Sequence, residues 1–512
     1  MIFKPEQKFY LYRIVLAFAS GVCLSSAFAP ANQPLYAMAA LTVIFYLIAH
    51  TPSLKQTALW AVAFGFGWFV SGINWVYYSM YHYGYMPLEW TYVTTSLFSL
   101  ALSIFPIAAF VLANAVTRDP IMRMAATIPA AFTITEWLRG WLLTGFPWLN
   151  PAYAMVDSPL AGIAPLMGSF GVLLGTAWIC GLIGAIWAAR GQWVNRLSMG
   201  IIGVCVFMLG LTGQSVPWTN PTGEVSVRLV QPNLEPRLLQ QSLSERFDEV
   251  YYYMDQVSVE KAPIDVLMLP ESVYPTSVQR FPLQEVSRLQ AWTQNEKKTV
   301  IFNAFWEPTA GDVRNAAVAL NPEGTLQHYE KRHLVPFGEF VPFGFQWFVD
   351  AMRIPMSDQE KGSDTQPLMT IAGHPASVNI CYENLFGEEW IRAWDNGQDP
   401  QWLINLSNLK WFGPSKAAEQ HFQVSRMRAM EMARPVLSVT NSGVTGLIDE
   451  KGKVVARLET DIESFLDLKV QTVTGAATPY VRFGNWVALI CAFMMFAVGF
   501  LAPRVLNLWQ KA

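Results

Sequence analysis

The sequence predicts two unlike bodies: a multi-pass α-helical membrane domain of eight transmembrane helices, and an α/β domain placed before the last of them. Three observations carry this. Of 512 residues, 52% are hydrophobic and 14% charged, against roughly 25% charged in an average soluble protein. Charge is uneven, because residues 220–482 hold 24 Lys/Arg and 33 Asp/Glu while the rest hold only 11 and 5. Outside that interval, apolar runs recur at close to the ~20 residues that span a bilayer. A mean hydropathy of +0.26 excludes a disordered protein, a basic nucleic-acid binder and an ordinary cytosolic enzyme. The expected boundaries are 1–219 for seven spans, 220–482 for the α/β domain, and 483–512 for the eighth span and a tail.

The runs lie near 12–30, 34–50, 57–80, 91–116, 122–142, 169–189, 198–214 and 484–503. The fifth contains Glu136 and Arg139. Charges at that depth are costly unless they pair or face a polar cavity. The i, i+3 spacing lets these two meet on one helix face, so a structural ion pair is favoured over a contact with a lipid headgroup. Orientation follows from Lys and Arg in short loops. Lys4, Lys8 and Arg13 precede or open the first run; Lys55, Arg118 and Arg123, Arg190 and Arg196, and Arg504 and Lys511 mark every second connection. The alternate loops, near 31–33, 81–90 and 143–168, contain neither residue. Both ends are therefore expected in the cytoplasm and 220–482 outside. Trp75, Tyr77, Tyr78, Tyr81, Tyr83, Tyr85 and Trp148 fit an interfacial aromatic belt.

Within 220–482, strand-like runs occur at 225–231, 265–270, 299–304, 316–321, 376–382, 401–406, 435–441 and 444–449, and helix-like ones at 244–259, 282–295 and 416–433. The turn DEKGK at 449–453 reads as a hairpin. Such alternation predicts sheet layers covered by helices.

Four of the five cysteines, Cys23, Cys180, Cys205 and Cys491, fall in apolar runs, where Cys acts as a small apolar residue. Cys381 stands alone in the α/β domain, with no disulfide partner there. No C-x-x-C, H-E-x-x-H or His cluster is present, so neither a metal nor a cofactor is expected. Cys381 follows an apolar strand, a position from which a sharp turn can expose a nucleophile near backbone N–H groups. Taken alone it reads slightly better as an inert buried thiol. Two further segments change that balance. Glu271, in PESVYP, ends an apolar strand, where α/β folds place ligands. EKRHLVPFGEFVPFG (330–344) holds Lys331, His333 and Glu339 in a loop stiffened by two prolines and two glycines.

Glu271 in PESVYP, Lys331 in KRHLVPFGE and Cys381 in CYE resemble the Glu-Lys-Cys triad of the nitrilase superfamily. The surrounding text is similar to its membrane-bound branch, the apolipoprotein N-acyltransferases: HLVPFGEFVP (333–342), WFG (411–413), QHFQVSRMRAMEMARP (420–435), TNSGVTG (440–446), GFGWFVSGINWVY (65–77), EWLRGW (136–141) and TGFPW (144–148). The resemblance implies a nitrilase-like αββα sandwich in the periplasm, held by eight spans in the inner membrane of a Gram-negative bacterium. It implies transfer of an acyl chain from a phospholipid to the α-amine of a diacylglyceryl-cysteine on an apolipoprotein, through a thioester on Cys381. Nucleic acid has no part in it. Lys331 would favour the thiolate and stabilise the oxyanion, since an adjacent Lys lowers a thiol's pKa. Glu271 would be the general base. Glu339 and Glu383 would orient Lys331 or the amine, Asn315 would order the network, and the Tyr382 N–H would join the oxyanion hole. His333 is a competing base, in a Cys-His pair without an evident orienting partner.

The sequence departs from the family at four places. QPN, with Pro232, replaces the usual Q-G-N; Gln240 falls where a Trp is expected; Arg314 replaces an aromatic; Leu409 replaces an Asp. These positions would shape the acyl pocket or its lid. Three other readings stand beside transfer: a membrane-tethered amidase using water, a divergent paralogue with altered substrate, and a non-catalytic transporter or scaffold.

Overall fold

The computed structural model describes residues 5–235, 243–274, 276–347, 349 and 358–509. The chain divides into two compact units: Met1–Tyr77, Pro87–Val216 and Arg482–Ala512 form one, and Tyr78–Met86 with Pro217–Val481 the other.

The first unit is helical. Its apolar runs form helices at Pro5–Ser25, Pro34–Ala49, Leu54–Gly72, Leu88–Leu102, Ile104–Val116, Ile128–Arg139, Ala164–Ala188, Trp193–Ser215 and Trp486–Trp509. Among the described residues, three helical stretches are long and apolar enough to cross a membrane: Leu88–Val116, Pro159–Ala188 and Trp193–Ser215. A fourth is added if Leu54–Gly72 and the short helix after it count as one. The break follows Gly72, where a Cβ would meet a Leu149 methyl at 2.1 Å, so only glycine permits that approach. Glu136 and Arg139 form a fully buried ion pair on one helix face, and Arg139 Nη1 also donates to the Trp148 carbonyl at 2.8 Å. Donors shared between a carboxylate and orphan carbonyls are what makes a buried guanidinium tolerable. Arg123 serves helix ends similarly, donating to Ala49 O (2.8 Å), Thr117 O (2.8 Å) and Asn114 O (3.1 Å).

Among the described residues, the second unit has twelve strands: β1 (Asn220–Gln231), β2 (Val266–Met268), β3 (Thr299–Trp306), β4 (Arg314–Leu320), β5 (Leu326–Glu330), β6 (Met369–Ile371), β7 (His374–Ile380), β8 (Trp402–Ser407), β9 (Val436–Thr440), β10 (Gly446–Ile448), β11 (Val454–Arg457) and β12 (Ser464–Thr474). They form two six-stranded sheets, ordered β12-β1-β2-β3-β4-β5 and β11-β10-β9-β8-β7-β6. Each has a parallel centre (β1-β2-β3 and β7-β8-β9) and antiparallel edges. One core lies between the sheets, where Val227, Leu229 and Met268 of the first meet Val378, Ile380, Ile404 and Val439 of the second. The outer face of the first sheet packs Leu267, Val300 and Val318 against Phe247, Met254 and Leu289 of helices Leu243–Glu260 and Leu283–Glu296. The outer face of the second packs Leu403 and Val436 against Phe422, Ala429 and Met432 of helix Ala417–Met432. The result is a helix–sheet–sheet–helix sandwich. Apolar residues on both faces of the central strands follow from this burial. Run 376–382 ends as a strand at Ile380, and Cys381 and Tyr382 open a 3₁₀ turn, Cys381–Leu385.

Candidate active site

Segments that follow β2, β5, β7 and β8 bring the site together. Beyond β2, the chain turns at Pro270 and presents Glu271, whose Ser272 N–H is held by Asn303 Oδ1 of β3 at 2.8 Å. Asn303 also donates to Asn315 Oδ1 at 2.6 Å, fixing the amide at the head of β4. Asn315 Nδ2 then reaches Glu271 Oε1 (3.0 Å) and Glu339 Oε1 (3.2 Å). Lys331, one residue past β5, is 0% exposed. Its Nζ lies 2.7 Å from Glu339 Oε1 and 3.7 Å from Glu271 Oε1. Glu339 is itself tethered, its Oε2 accepting from Val335 N at 2.7 Å.

Cys381 has φ +52°, a left-handed conformation that a β-substituted residue adopts at a cost of about 1–3 kcal/mol. The turn sets the thiol beside Glu271, close enough for the carboxylate and the sulfur to shift one another's titration. Asn408, beyond β8, donates its N–H to Glu271 Oε2 at 2.8 Å, and the same amide faces the sulfur. Asn441 after β9 holds the Asn408 side chain at 3.1 Å, and also pairs with both polar backbone atoms of Leu234. The loop is braced further on. Ser79 Oγ donates to Trp411 O at 2.6 Å, Tyr83 meets the Trp411 ring edge-on, and a Cβ on Gly413 (φ +60°) would lie 2.5 Å from the Tyr78 ring.

At the sulfur Lys331 acts in the expected direction, drawing the thiol down, but it acts against larger opposing effects. Burial, then the carboxylate of Glu271, pushes the Cys381 thiol well above its ordinary range, and Lys331 does not offset them. Burial also raises Glu271, only partly countered by Lys331. Burial pulls the Lys331 ammonium down, but Glu339 and Glu271 outweigh it and its pKa rises. The cation is thereby held charged beside the Glu339 and Glu271 carboxylates.

Glu383 accepts hydrogen bonds from the backbone of the nucleophile strand and of the loop that carries Lys331. It is fully buried behind the turn, with Oε2 accepting from Ile380 N (2.7 Å) and Oε1 from Arg332 N (2.7 Å), His333 N (3.2 Å) and Tyr329 Oη (2.9 Å). The Tyr382 side chain is buried near the Phe386 and His333 rings. His333 stacks on Phe386 at 3.7 Å, with Nδ1 3.7 Å from Glu389, which gives it a setting apart from the thiol. Arg314 forks to Asp312 (2.7 Å) and Glu330 (2.8 Å), on the strand face opposite Asn315. Leu409 is buried and packs on Gly443, while Pro232 continues β1 into the 233–234 segment gripped by Asn441. Gln240 lies outside the described residues. Sequence reasoning passed over Asn303, Asn408, Asn441 and His421. The last donates toward the Cys381 carbonyl at 3.2 Å, although the sequence showed no pairing signal for it. Among the described residues, no group of three or more His, Cys, Asp or Glu is arranged to hold a metal ion.

Residues 20–182 match the family described as the apolipoprotein N-acyltransferase N-terminal domain, and residues 226–480 match carbon-nitrogen hydrolase. An apolipoprotein N-acyltransferase of Ralstonia nicotianae is 38% identical over 482 residues, covering 93% of this chain and 90% of its own. This chain belongs to the apolipoprotein N-acyltransferase family. The Methylococcus capsulatus member is 34% identical over 488 residues, covering 94% of each chain. Among solved structures, Saccharomyces cerevisiae Nit3, of branch 10 of the nitrilase superfamily, aligns at TM-score 0.38 and 15% identity over 49% of this chain and 91% of its own. As an apolipoprotein N-acyltransferase family member with long apolar helices, the chain is a bacterial membrane protein with a nitrilase-like α/β domain.

Proposed function

We propose that this protein transfers an acyl chain from a phospholipid to the α-amine of the N-terminal diacylglyceryl-cysteine of apolipoproteins, through a thioester on Cys381. The observation that carries the reading is the Glu271–Lys331–Cys381 cluster, with both charged groups buried and the thiol partly so, and with Asn315 and Glu339 completing its hydrogen bonds. In the first half-reaction Glu271 takes the thiol proton as sulfur attacks the ester carbonyl. The tetrahedral oxyanion forms beside the Lys331 ammonium and backbone N–H groups, of which the Tyr382 N–H is one. The intermediate collapses to a thioester, and the departing lysophospholipid alkoxide takes the proton back from Glu271. In the second, the amine attacks the thioester carbonyl and Glu271 accepts its proton. Collapse then releases the Cys381 sulfur, which is reprotonated, and leaves an amide. One nucleophile serving two bulky lipids in turn implies ping-pong kinetics.

The same proposal takes 220–482 as a periplasmic domain, between seven spans at 1–219 and an eighth at 483–512, in the inner membrane of a Gram-negative bacterium. The loops free of Lys and Arg support that orientation.

The test is intact-protein mass spectrometry. Protein mixed with phospholipid alone should gain one acyl mass on Cys381, removable by neutral hydroxylamine. A diacylglyceryl-cysteinyl peptide should discharge it as an amide. Passage of the acyl group to water alone would make the protein a hydrolase.

A further inference from the structure

His421 is buried inside helix Ala417–Met432, and the acyl-transfer chemistry gives it no task. Its ring lies against the one backbone feature the nucleophile depends on. Nε2 is 3.2 Å from the carbonyl oxygen of Cys381. That carbonyl can only accept, so Nε2 must carry the proton. The neighbouring Asn384 amide does not compete: its two hydrogens have better-placed acceptors in Ser425 Oγ (2.9 Å) and His421 O (3.3 Å), against 3.4 Å to Nε2. Burial pulls the imidazole down to about 4, so the ring remains neutral at physiological pH.

Cys381 is held in its left-handed conformation from two sides. On the N-terminal side Glu383 grips the Ile380 N–H at 2.7 Å. On the C-terminal side the carbonyl of Cys381 meets His421. We propose that His421 is a positioning residue for acyl transfer: its Nε2–H tautomer pins the Cys381 carbonyl and so keeps the strained turn that aims the thiol at Glu271. It touches neither reacting lipid and acts only through the backbone of the nucleophile. The proposal rests on Cys381 being the nucleophile.

Full-length protein in lipid nanodiscs tests this with two readouts at Cys381. One is the single-turnover acylation rate with phospholipid. The other is the rate of iodoacetamide alkylation, followed on the peptide containing Cys381. His421→Leu keeps the volume and removes the donor. It should slow both rates about tenfold, the scale of one lost hydrogen bond expressed as a rate, with KM for phospholipid unchanged. His421→Gln, whose Nε2 reaches as far as the imidazole's, should recover most of both. If the Leu variant does not fold, Gln is compared with His421→Asn, whose amide stops short; Gln should then be the faster. Wild-type alkylation in the Leu variant would overturn the proposal, as would Gln no faster than the donor-lacking or shorter variant. Should wild-type protein gain no acyl mass on Cys381, the nucleophile reading fails instead, and the alkylation comparison still reports on the turn.

Discussion

At Lys331 a single ammonium, wholly buried, faces two carboxylates. Removing one member of such a group leaves uncompensated charge at a cost of about 3–5 kcal/mol. Lys331→Met should therefore abolish acylation and lower the unfolding temperature. The pH dependence separates its two neighbours. Glu271 accepts a proton only when ionised, so activity is lost on the acid side, through a pKa that burial raises above the ordinary 4.5. Glu339 adds to that rise through its charge. Glu339→Gln should accordingly shift the acid limb of single-turnover acylation to lower pH as it lowers the rate. A shift to higher pH would show that Glu339 acts otherwise. The sulfur gives an independent check. Burial and Glu271 hold the thiol well above its usual value of 9.0, so alkylation of Cys381 should show no inflection below about pH 9. An inflection near neutrality would mean that Lys331 generates a resting thiolate after all.

Among elements, the decisive junction is between the nucleophile turn and the loop after β5. Glu383 ties that junction, accepting from Ile380 on one side and from Arg332, His333 and Tyr329 on the other. Glu383→Ala would leave three N–H groups, two of them buried, without this acceptor. Each such orphan costs about 1–3 kcal/mol, so the variant should unfold at far lower denaturant or temperature. Glu383→Gln keeps the shape but turns one oxygen into a donor facing donors, and should fall between. A Glu383→Ala protein of normal stability that is merely inactive would return Glu383 to the substrate. The sequence made this site half legible. Glu271, Lys331 and Cys381 stood out because charge and thiol are rare at apolar strand ends. The Asn408 N–H leaves no trace in a sequence, since every residue but proline carries one, and the Glu383 task depends on which backbone folds around it. The same holds for strands. Central ones such as 299–304 and 401–406 are apolar on both faces and read easily. Those passed over, β5, β6 and β12, are all sheet edges. Edges face water and carry polar residues: β5 is LQHYE, and β12 alternates Leu466, Leu468 and Val470 with Asp467, Lys469 and Gln471.

For the whole molecule, the question set by charge is which side of the membrane holds the catalytic unit. Among the described residues, three stretches pass the length and hydropathy needed to span, and Phe9–Ser25, Pro34–Ala49 and Trp486–Ala502 are shorter apolar segments. Helix length therefore leaves the number of crossings open, whereas Lys and Arg constrain direction strongly. The loops near 31–33, 81–90 and 143–168 carry none, and ten flank the intervening connections and the ends. Cationic loops are retained in the cytoplasm, so an odd number of crossings precedes residue 220 if 220–482 lies outside. The hairpin turn Asp449–Lys453 offers a place to read this, because Lys451 is exposed on a tight turn closed by Asp449 and Lys453. In Lys451→Cys, a membrane-impermeant maleimide should label intact spheroplasts as fully as opened ones. Labelling that appears only after the membrane is opened would put the unit in the cytoplasm. Glu271, Lys331 and Cys381 would then stand on the wrong side of the membrane for a periplasmic acceptor amine.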